Sequence, residues 1–147
     1  MFDKILEPID SFEGDYFFLS NFYPCQIIYN GHTFKSSESA FQSAKTVNPL
    51  VIKQFEFLTP VKAKKLGRRV ELRPDWEEIK DSVMEDILRI KFNKIRLKEK
   101  LLSTYPRELI EGNDWNDTYW GVYNGIGKNK LGEILMKIRK EFLEEDD

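Results

Sequence analysis

The stretch Cys25-Gln26-Ile27-Ile28-Tyr29-Asn30-Gly31-His32-Thr33-Phe34-Lys35-Ser36-Ser37-Glu38-Ser39-Ala40-Phe41-Gln42-Ser43-Ala44-Lys45 decides how the fold is read. Asn30-Gly31 accepts the positive φ angles of a tight turn, so Cys25 to Tyr29 and His32 to Phe34 pair as a β-hairpin. The hydroxyls of Ser36 and Ser37 then cap a helix that runs through Lys45. A hairpin passing directly into a helix points to the α+β class, and the chain beyond Lys45 reads as mostly helical.

Asn48-Pro49 and Thr59-Pro60 each set a capping side chain before a proline at the first helical position, where its missing N–H costs nothing. Two short helices are expected there, the second stopped by Gly67. Asp75, with Glu78 placed for a capping box, opens a long helix on which Trp76, Ile79, Val83, Ile87, Ile90 and Ile95 recur along roughly one face. Glu108 to Glu111 reads as a short strand, and Gly112 to Asn129 as an ordered loop rich in Gly, polar and aromatic residues. Asn129 then caps a last helix with Leu131, Ile134, Leu135, Ile138 and Phe142 on one side, and the acidic end from Glu144 to Asp147 reads as frayed. The sum is a helix-rich α+β single domain with a small antiparallel β-sheet.

The 147 residues suit one domain, since no repeat or linker-like tract divides them. Lys and Arg total 23 against 25 Asp and Glu, and a net charge of -2 gives no global reason to bind a polyanion. No apolar run approaches the roughly 18 residues of a membrane span. The start MFDKILEPID lacks the basic-then-apolar layout of a signal peptide, so a soluble, cytoplasmic protein with no membrane association is expected. One cysteine, Cys25, and one histidine, His32, exclude an internal disulfide, a structural zinc site and paired-histidine chemistry, leaving carboxylates as the catalytic groups.

Two segments concentrate polar chemistry. On the helix after Ser37, Glu38, Gln42 and Lys45 share a stripe while Phe41 and Ala44 lie on another face, which by spacing alone describes a solvated helix surface. In Glu111-Gly112-Asn113-Asp114-Trp115-Asn116-Asp117-Thr118-Tyr119-Trp120-Gly121, acidic residues sit among large aromatics. Either the rings seal the core while Asp and Asn make Asx-turns, or they form a wall for stacking on a base or sugar beside carboxylates. Gly125-Ile126-Gly127-Lys128-Asn129-Lys130 invites a phosphate-loop reading, although the Walker spacing is absent. Arg68, Arg69 and Arg73 form a local positive cluster, an anion site or a solvated helix end. Trp76 suits the core or a cleft rim, His32 reads as structural, and Cys25 as a small buried hydrophobe.

Taken in order, several fragments resemble the NADAR family, also called YbiA-like, from about Phe12 to Phe142. They are Phe18-Leu19-Ser20-Asn21-Phe22, Ser37 to Lys45, Leu66-Gly67-Arg68, Pro74-Asp75-Trp76, Val83-Met84, Lys91-Phe92, Asn116 to Gly121, and Gly127-Lys128-Asn129-Lys130-Leu131-Gly132 with Leu135-Met136 and Arg139. The resemblance implies a YbiA-like α+β fold and N-glycosidase activity: hydrolysis of an N–C1′ ribosyl bond, with no metal or redox cofactor and no obligate protein partner. Members act on phosphoribosylamino-pyrimidine intermediates of riboflavin biosynthesis or on ADP-ribose attached to guanine in nucleic acid. Glu38 falls on the glutamate of the family's S-E-x-x-F-Q motif, Lys45 on the lysine closing it, Arg68 on the Gly-Arg arginine, Trp76 on the tryptophan before the long helix and Asp117 on the aspartate of N-D-x-x-W-G. Ser39 stands where many relatives carry His, and Tyr123-Asn124 departs from a more Gly-rich form.

Cleaving an N-glycosidic bond builds positive charge on C1′ and the ring oxygen, which a carboxylate stabilises more in the transition state than in the ground state. The resemblance therefore gives Glu38 the principal carboxylate role and makes Asp117 its partner, as acid/base or as ribose-hydroxyl binder. Trp76 and Trp120 are implied for the base, Lys45 and Arg68 for phosphate or pyrophosphate, and Asn21, Gln42, Gly121 and Asn129 for further substrate contacts. The expected substrate is a small phosphorylated ribosyl compound, with ADP-ribosylated nucleic acid as the alternative. The competing class is a non-catalytic binder of ADP-ribose or a nucleotide, and a third reading is a plain interaction module.

Overall fold

The computed structural model describes residues 7–145, which divide into two compact units, one made of Asn21–Lys94 and the other of residues 7–20 with 95–145. In the first unit, strands β1 (Pro24–Tyr29) and β2 (His32–Ser36) form a two-stranded antiparallel sheet with Ile27 opposite Phe34 and Tyr29 opposite His32. Asn30 and Gly31 turn the chain with φ angles of 50° and 81°, as the dipeptide demands. Ile27 and Phe34 face the core while Ile28 is exposed, the alternation of a sheet buried on one side.

Helix α1 (Ser37–Ser43) follows without a break, because the Ser36 hydroxyl accepts the Ser39 N–H at 3.1 Å. Helices α2 (Pro49–Phe55) and α3 (Pro60–Gly67) start as expected, with Asn48 and Thr59 side chains accepting backbone N–H groups. Helix α4 (Trp76–Phe92) completes the unit, and α1 touches both strands and all three of these helices. Every residue of α1 is buried for that reason.

Three expectations about α4 change. No capping box forms, because both oxygens of the Asp75 carboxylate accept the Arg73 guanidinium, at 2.6 and 3.2 Å. The buried face runs through Trp76, Val83, Met84, Ile87, Leu88, Lys91 and Phe92. Ile79 and Ile90 sit half-buried at its margin. The helix also ends at Phe92, and Ile95, 67 % exposed, opens a separate helix that lacks any Gly or Pro to announce it.

The second unit contains a 3-10 helix (Gly14–Leu19), α5 (Ile95–Ser103) and α6 (Lys130–Glu145). All five apolar residues expected on the last helix are buried, and Leu97 and Leu101 of α5 are buried one turn apart. Glu144 and Glu145 continue α6 rather than fraying; Asp146 and Asp147 lie outside the described residues. Instead of a strand at 108–111 there is an isolated parallel bridge between Ile9 and Leu109, held by Ile9 N–H to Glu108 and Ile110 N–H to Ile9. A two-residue turn at Asn124-Gly125, with φ of 51° and 77°, joins Tyr123 to Ile126. Among the described residues no helix is long and apolar enough to cross a membrane.

Candidate active site

The polar stripe of α1 is not a solvated face. Glu38 is 7 % exposed and Gln42 6 %, one helical turn apart, and Gln42 Nε2 donates to Glu38 Oε1 at 3.0 Å. Burial makes that bond matter, since a desolvated carboxylate is far more costly than a paired one. Asn21 holds the start of the same helix: its carbonyl accepts the Glu38 N–H at 3.0 Å and its Oδ1 the Ser37 hydroxyl at 2.8 Å. The Asn21 amide in turn donates toward Met84 Sδ, so this buried residue, implied for substrate, orients the helix that carries Glu38.

Gln42 has its other amide atom, Oε1, buried without a hydrogen-bond partner. Leaving an acceptor so costs about 1–3 kcal/mol. Rotating the amide by half a turn would not relieve it, because the oxygen would then face the carboxylate. The Glu38 carboxyl group thus accounts for the amide orientation. The carboxamide packs against Gly67, the last residue of α3, where a Cβ would overlap it.

Beyond α1, Lys45 is half-buried. Burial pushes its ammonium below the usual lysine range, the Glu38 carboxylate opposes this, and the cations of Arg68, Lys64 and Lys80 add to the depression. Lys45 therefore sits in a shared field of four cations and one carboxylate, of which sequence reading found only Lys45, Arg68 and Glu38. The backbone supports this arrangement, with Arg73 N–H donating to the Lys45 carbonyl at 2.8 Å. Arg68 itself is exposed. Trp76, 5 % exposed, packs on Phe41 with ring centroids 5.1 Å apart and so backs α1 from the core. Ser39, at the position where relatives carry His, is fully buried and donates its hydroxyl to the Phe55 carbonyl, tying α1 to the end of α2.

In the other unit, Asp117 Oδ1 accepts the N–H groups of Tyr119 and Trp120 at 3.0 and 2.9 Å. Asn113 does the same for Trp115 and Asp117, while its amide donates to the Asp117 carbonyl and to Glu111. These are the Asx-turns of the structural reading. Trp120 is half-buried and meets Tyr119 edge-on at 4.9 Å, whereas Trp115 is 52 % exposed. Gly121 lies where a Cβ would strike the Glu111 side chain and backbone.

Asn129 does not cap α6 with its side chain. At a φ of 53° it buries its amide, which donates to the Leu109 carbonyl and accepts the Glu111 N–H, both at 2.9 Å. The phosphate-loop reading also fails on pairing. The N–H groups of Lys128, Asn129, Lys130 and Leu131 already donate to the carbonyls of Thr118, Gly121, Tyr119 and Trp120. A cradle requires free N–H groups, and these are committed.

Two open grooves lie elsewhere on the units. One, of about 600 Å³, runs along the hairpin past Cys25, Phe34, Glu56 and Phe57; the other, of about 540 Å³, passes Asp10, Glu13, Asp114 and Trp115. Cys25 is half-buried rather than enclosed, and burial raises its thiol against the opposing charge of Lys91 and Lys94. Among the described residues no group of three or more His, Cys, Asp or Glu side chains is placed to hold a metal ion.

Comparison with known proteins supplies the context for these residues. Residues 10–143 match the model of the NADAR domain. The chain is 38 % identical over 136 residues to the N-glycosidase YbiA of Shigella flexneri, covering 89 % of this chain and 84 % of that protein. It is 37 % identical over 145 residues to a riboflavin biosynthesis protein of Vibrio vulnificus, covering 94 % of this chain and 39 % of that longer protein. The NMR structure of Escherichia coli YbiA superposes with a TM-score of 0.84 at 34 % identity, over 96 % of this chain and 88 % of that one.

Proposed function

We propose a function from the premise that the chain belongs to the NADAR family: it is an N-glycosidase, a hydrolase of N-glycosyl bonds, acting on a small phosphorylated ribosyl substrate of the phosphoribosylamino-pyrimidine type. Relatives named as N-glycosidases and riboflavin biosynthesis proteins support the reaction class and the pathway link. The observation that carries the reading is the buried Glu38 carboxylate, held by Gln42 and accompanied by the Lys45 and Arg68 cations. The family match spans both compact units, which supports treating 1–147 as one NADAR domain with its core from about 12 to 142.

In the reaction the C1′–N bond breaks with its electron pair leaving on nitrogen, which takes up a proton, and water supplies the hydroxyl at C1′. The sugar becomes cationic between these events. Glu38 stabilises that cation or orients the water, an electrostatic contribution worth most in a desolvated setting. Lys45 and Arg68 hold the phosphate, selecting a phosphorylated sugar. Trp76 backs the helix bearing Glu38, and Asn21 and Gln42 fix that helix and its carboxylate. Asp117 is assigned as the second carboxylate, with Trp120, Gly121 and Asn129 shaping the loop that bears it. A cytoplasmic setting belongs to the same proposal, because phosphorylated sugars do not cross membranes unaided.

A second reading, removal of ADP-ribose from guanine in nucleic acid, is favoured by one observation: Lys64 and Lys80 add two cations to the field at Lys45, more than a single phosphate needs. The deciding experiment incubates the protein and its Glu38→Gln variant with a phosphoribosylamino-pyrimidine and with an ADP-ribosylated guanine oligonucleotide, reading released base and sugar by mass spectrometry. Cleavage of the pyrimidine compound, lowered by about 100-fold or more in the variant, is expected. Unchanged kinetics in the variant would overturn the role of Glu38; binding of either compound without cleavage would make the protein a nucleotide sensor.

A further inference from the structure

We propose that Gly67 is a positioning residue for the reaction: by leaving space for the Gln42 carboxamide at the end of α3, it keeps Gln42 donating to the Glu38 carboxylate. The inference rests on Glu38 being the reactive carboxylate and extends the machinery to a glycine that acts through Gln42.

Gly67 is not there for backbone freedom. It ends a helix and is absent from the positive-φ glycines, and alanine is the better helix former at such a position. Its requirement is spatial. The three nearest atoms that a Cβ would meet all belong to the Gln42 side chain: Oε1, Cδ and Cβ. Gln42 is buried and its Oε1 is shut off from solvent with no hydrogen-bond partner, so that oxygen is not a substrate contact. An amide kept at this cost, with its oxygen against a glycine and its nitrogen on a carboxylate at 3.0 Å, is held for the sake of the carboxylate. The Gly67-Arg68 pair therefore divides its work. Gly67 seats Gln42, while the adjacent Arg68 contributes to the cationic field around Lys45.

A methyl group at position 67 strikes the far end of a flexible side chain, which yields more easily than backbone. Gly67→Ala should therefore displace the amide without unfolding the helix. Glu38 then loses a donor that favours its ionised form and one of the contacts that fix its rotamer. The test compares kcat, KM, the pH profile of kcat and Tm for the wild type, Gly67→Ala, Gln42→Ala, the double variant and Glu38→Gln, using the substrate that the wild type cleaves.

Gly67→Ala and Gln42→Ala should each lower kcat by about 10- to 100-fold, the scale of a small misplacement of a reacting group. Each should shift the acid limb of the kcat profile upward by about one pH unit, since the carboxyl loses its donor. KM should stay within about twofold, as uniform binding is untouched. The double variant should match either single one, because both act through the same hydrogen bond. If Gly67→Ala alone fails to fold, recovery of folding in the double variant identifies the clash with Gln42.

Additive losses in the double variant, or full activity with an unmoved acid limb in Gly67→Ala, would overturn the proposal while Glu38→Gln remains inactive. An active Glu38→Gln variant would instead overturn the reading on which the proposal rests.

Discussion

Replacing Lys91 by methionine should flatten part of the protein's stability profile in alkali. Lys91 is 0 % exposed, and burial moves its ammonium from the ordinary 10.5 down to about 8, against a small opposing effect of Cys25. Its Nζ lies 5.6 Å from the Tyr23 ring centroid and 5.1 Å from that of Phe92. A drop from 10.5 to about 8, at about 1.36 kcal/mol per unit, is about 3 kcal/mol. The folded pKa lies below the unfolded one, so between the two the unfolded chain holds a proton that the folded chain has released. Stability from this group therefore rises as pH climbs from about 8 to 10.5, and below pH 8 the cost is borne in full.

Methionine has similar length and no charge, so Lys91→Met removes this ionisation cost together with the cation–π and other contacts that the ammonium makes. Relative to the wild type, the variant should lose about 3 kcal/mol of stability between pH 7 and pH 10.5, the span over which the wild type gains it. Urea unfolding of both proteins at pH 7, 8, 9 and 10 reads the difference directly, since the other lysines titrate alike in both. A difference that stays constant with pH, or that grows in the variant's favour, would refute the reasoning.

Two further outcomes are expected for residues proposed to act on the substrate. Lys45→Met should raise KM for a phosphorylated ribosyl substrate by about tenfold or more while kcat changes little, measured by steady-state kinetics against a dephosphorylated analogue, for which no such rise is expected. Asp117→Asn keeps the acceptor for the Tyr119 and Trp120 N–H groups, so Tm should be nearly unchanged; a fall in kcat of about tenfold or more is expected from the lost charge, and wild-type kcat would remove the role proposed for Asp117.

What could be read in advance was governed by contacts within a few residues. The Asn30-Gly31 turn and the caps at Ser36, Asn48 and Thr59 are local chemistry and lie where that chemistry puts them. The apolar stripe of α6 is periodic enough to be read without its partners. Illegible features depend on what lies across the unit. Spacing could not show that α1 is enclosed by every neighbouring element, which turns an ordinary polar stripe into a buried Glu38–Gln42 pair. Asp75 has the right identity for a cap but a stronger partner two residues back in Arg73. The break after Phe92 carries no Gly or Pro, only an exposed Asn93 at the helix end. Lys91 belongs to the core despite its charge, which no periodicity scale anticipates. For the site, resemblance named Glu38, while the reason for Gly67 appeared only with the Gln42 carboxamide beside it.

The start of α6 has a consequence for how this chain divides into transferable parts. Its entry N–H groups rest on carbonyls of residues about ten positions earlier, in the aromatic loop, and not on a side chain of the helix's own flank. The instructions for beginning that helix are therefore stored in another segment. A peptide of 130–145 would keep the amphipathic face and lose its starting point, fraying from its first turn, whereas one reaching back through Asn113 would carry both.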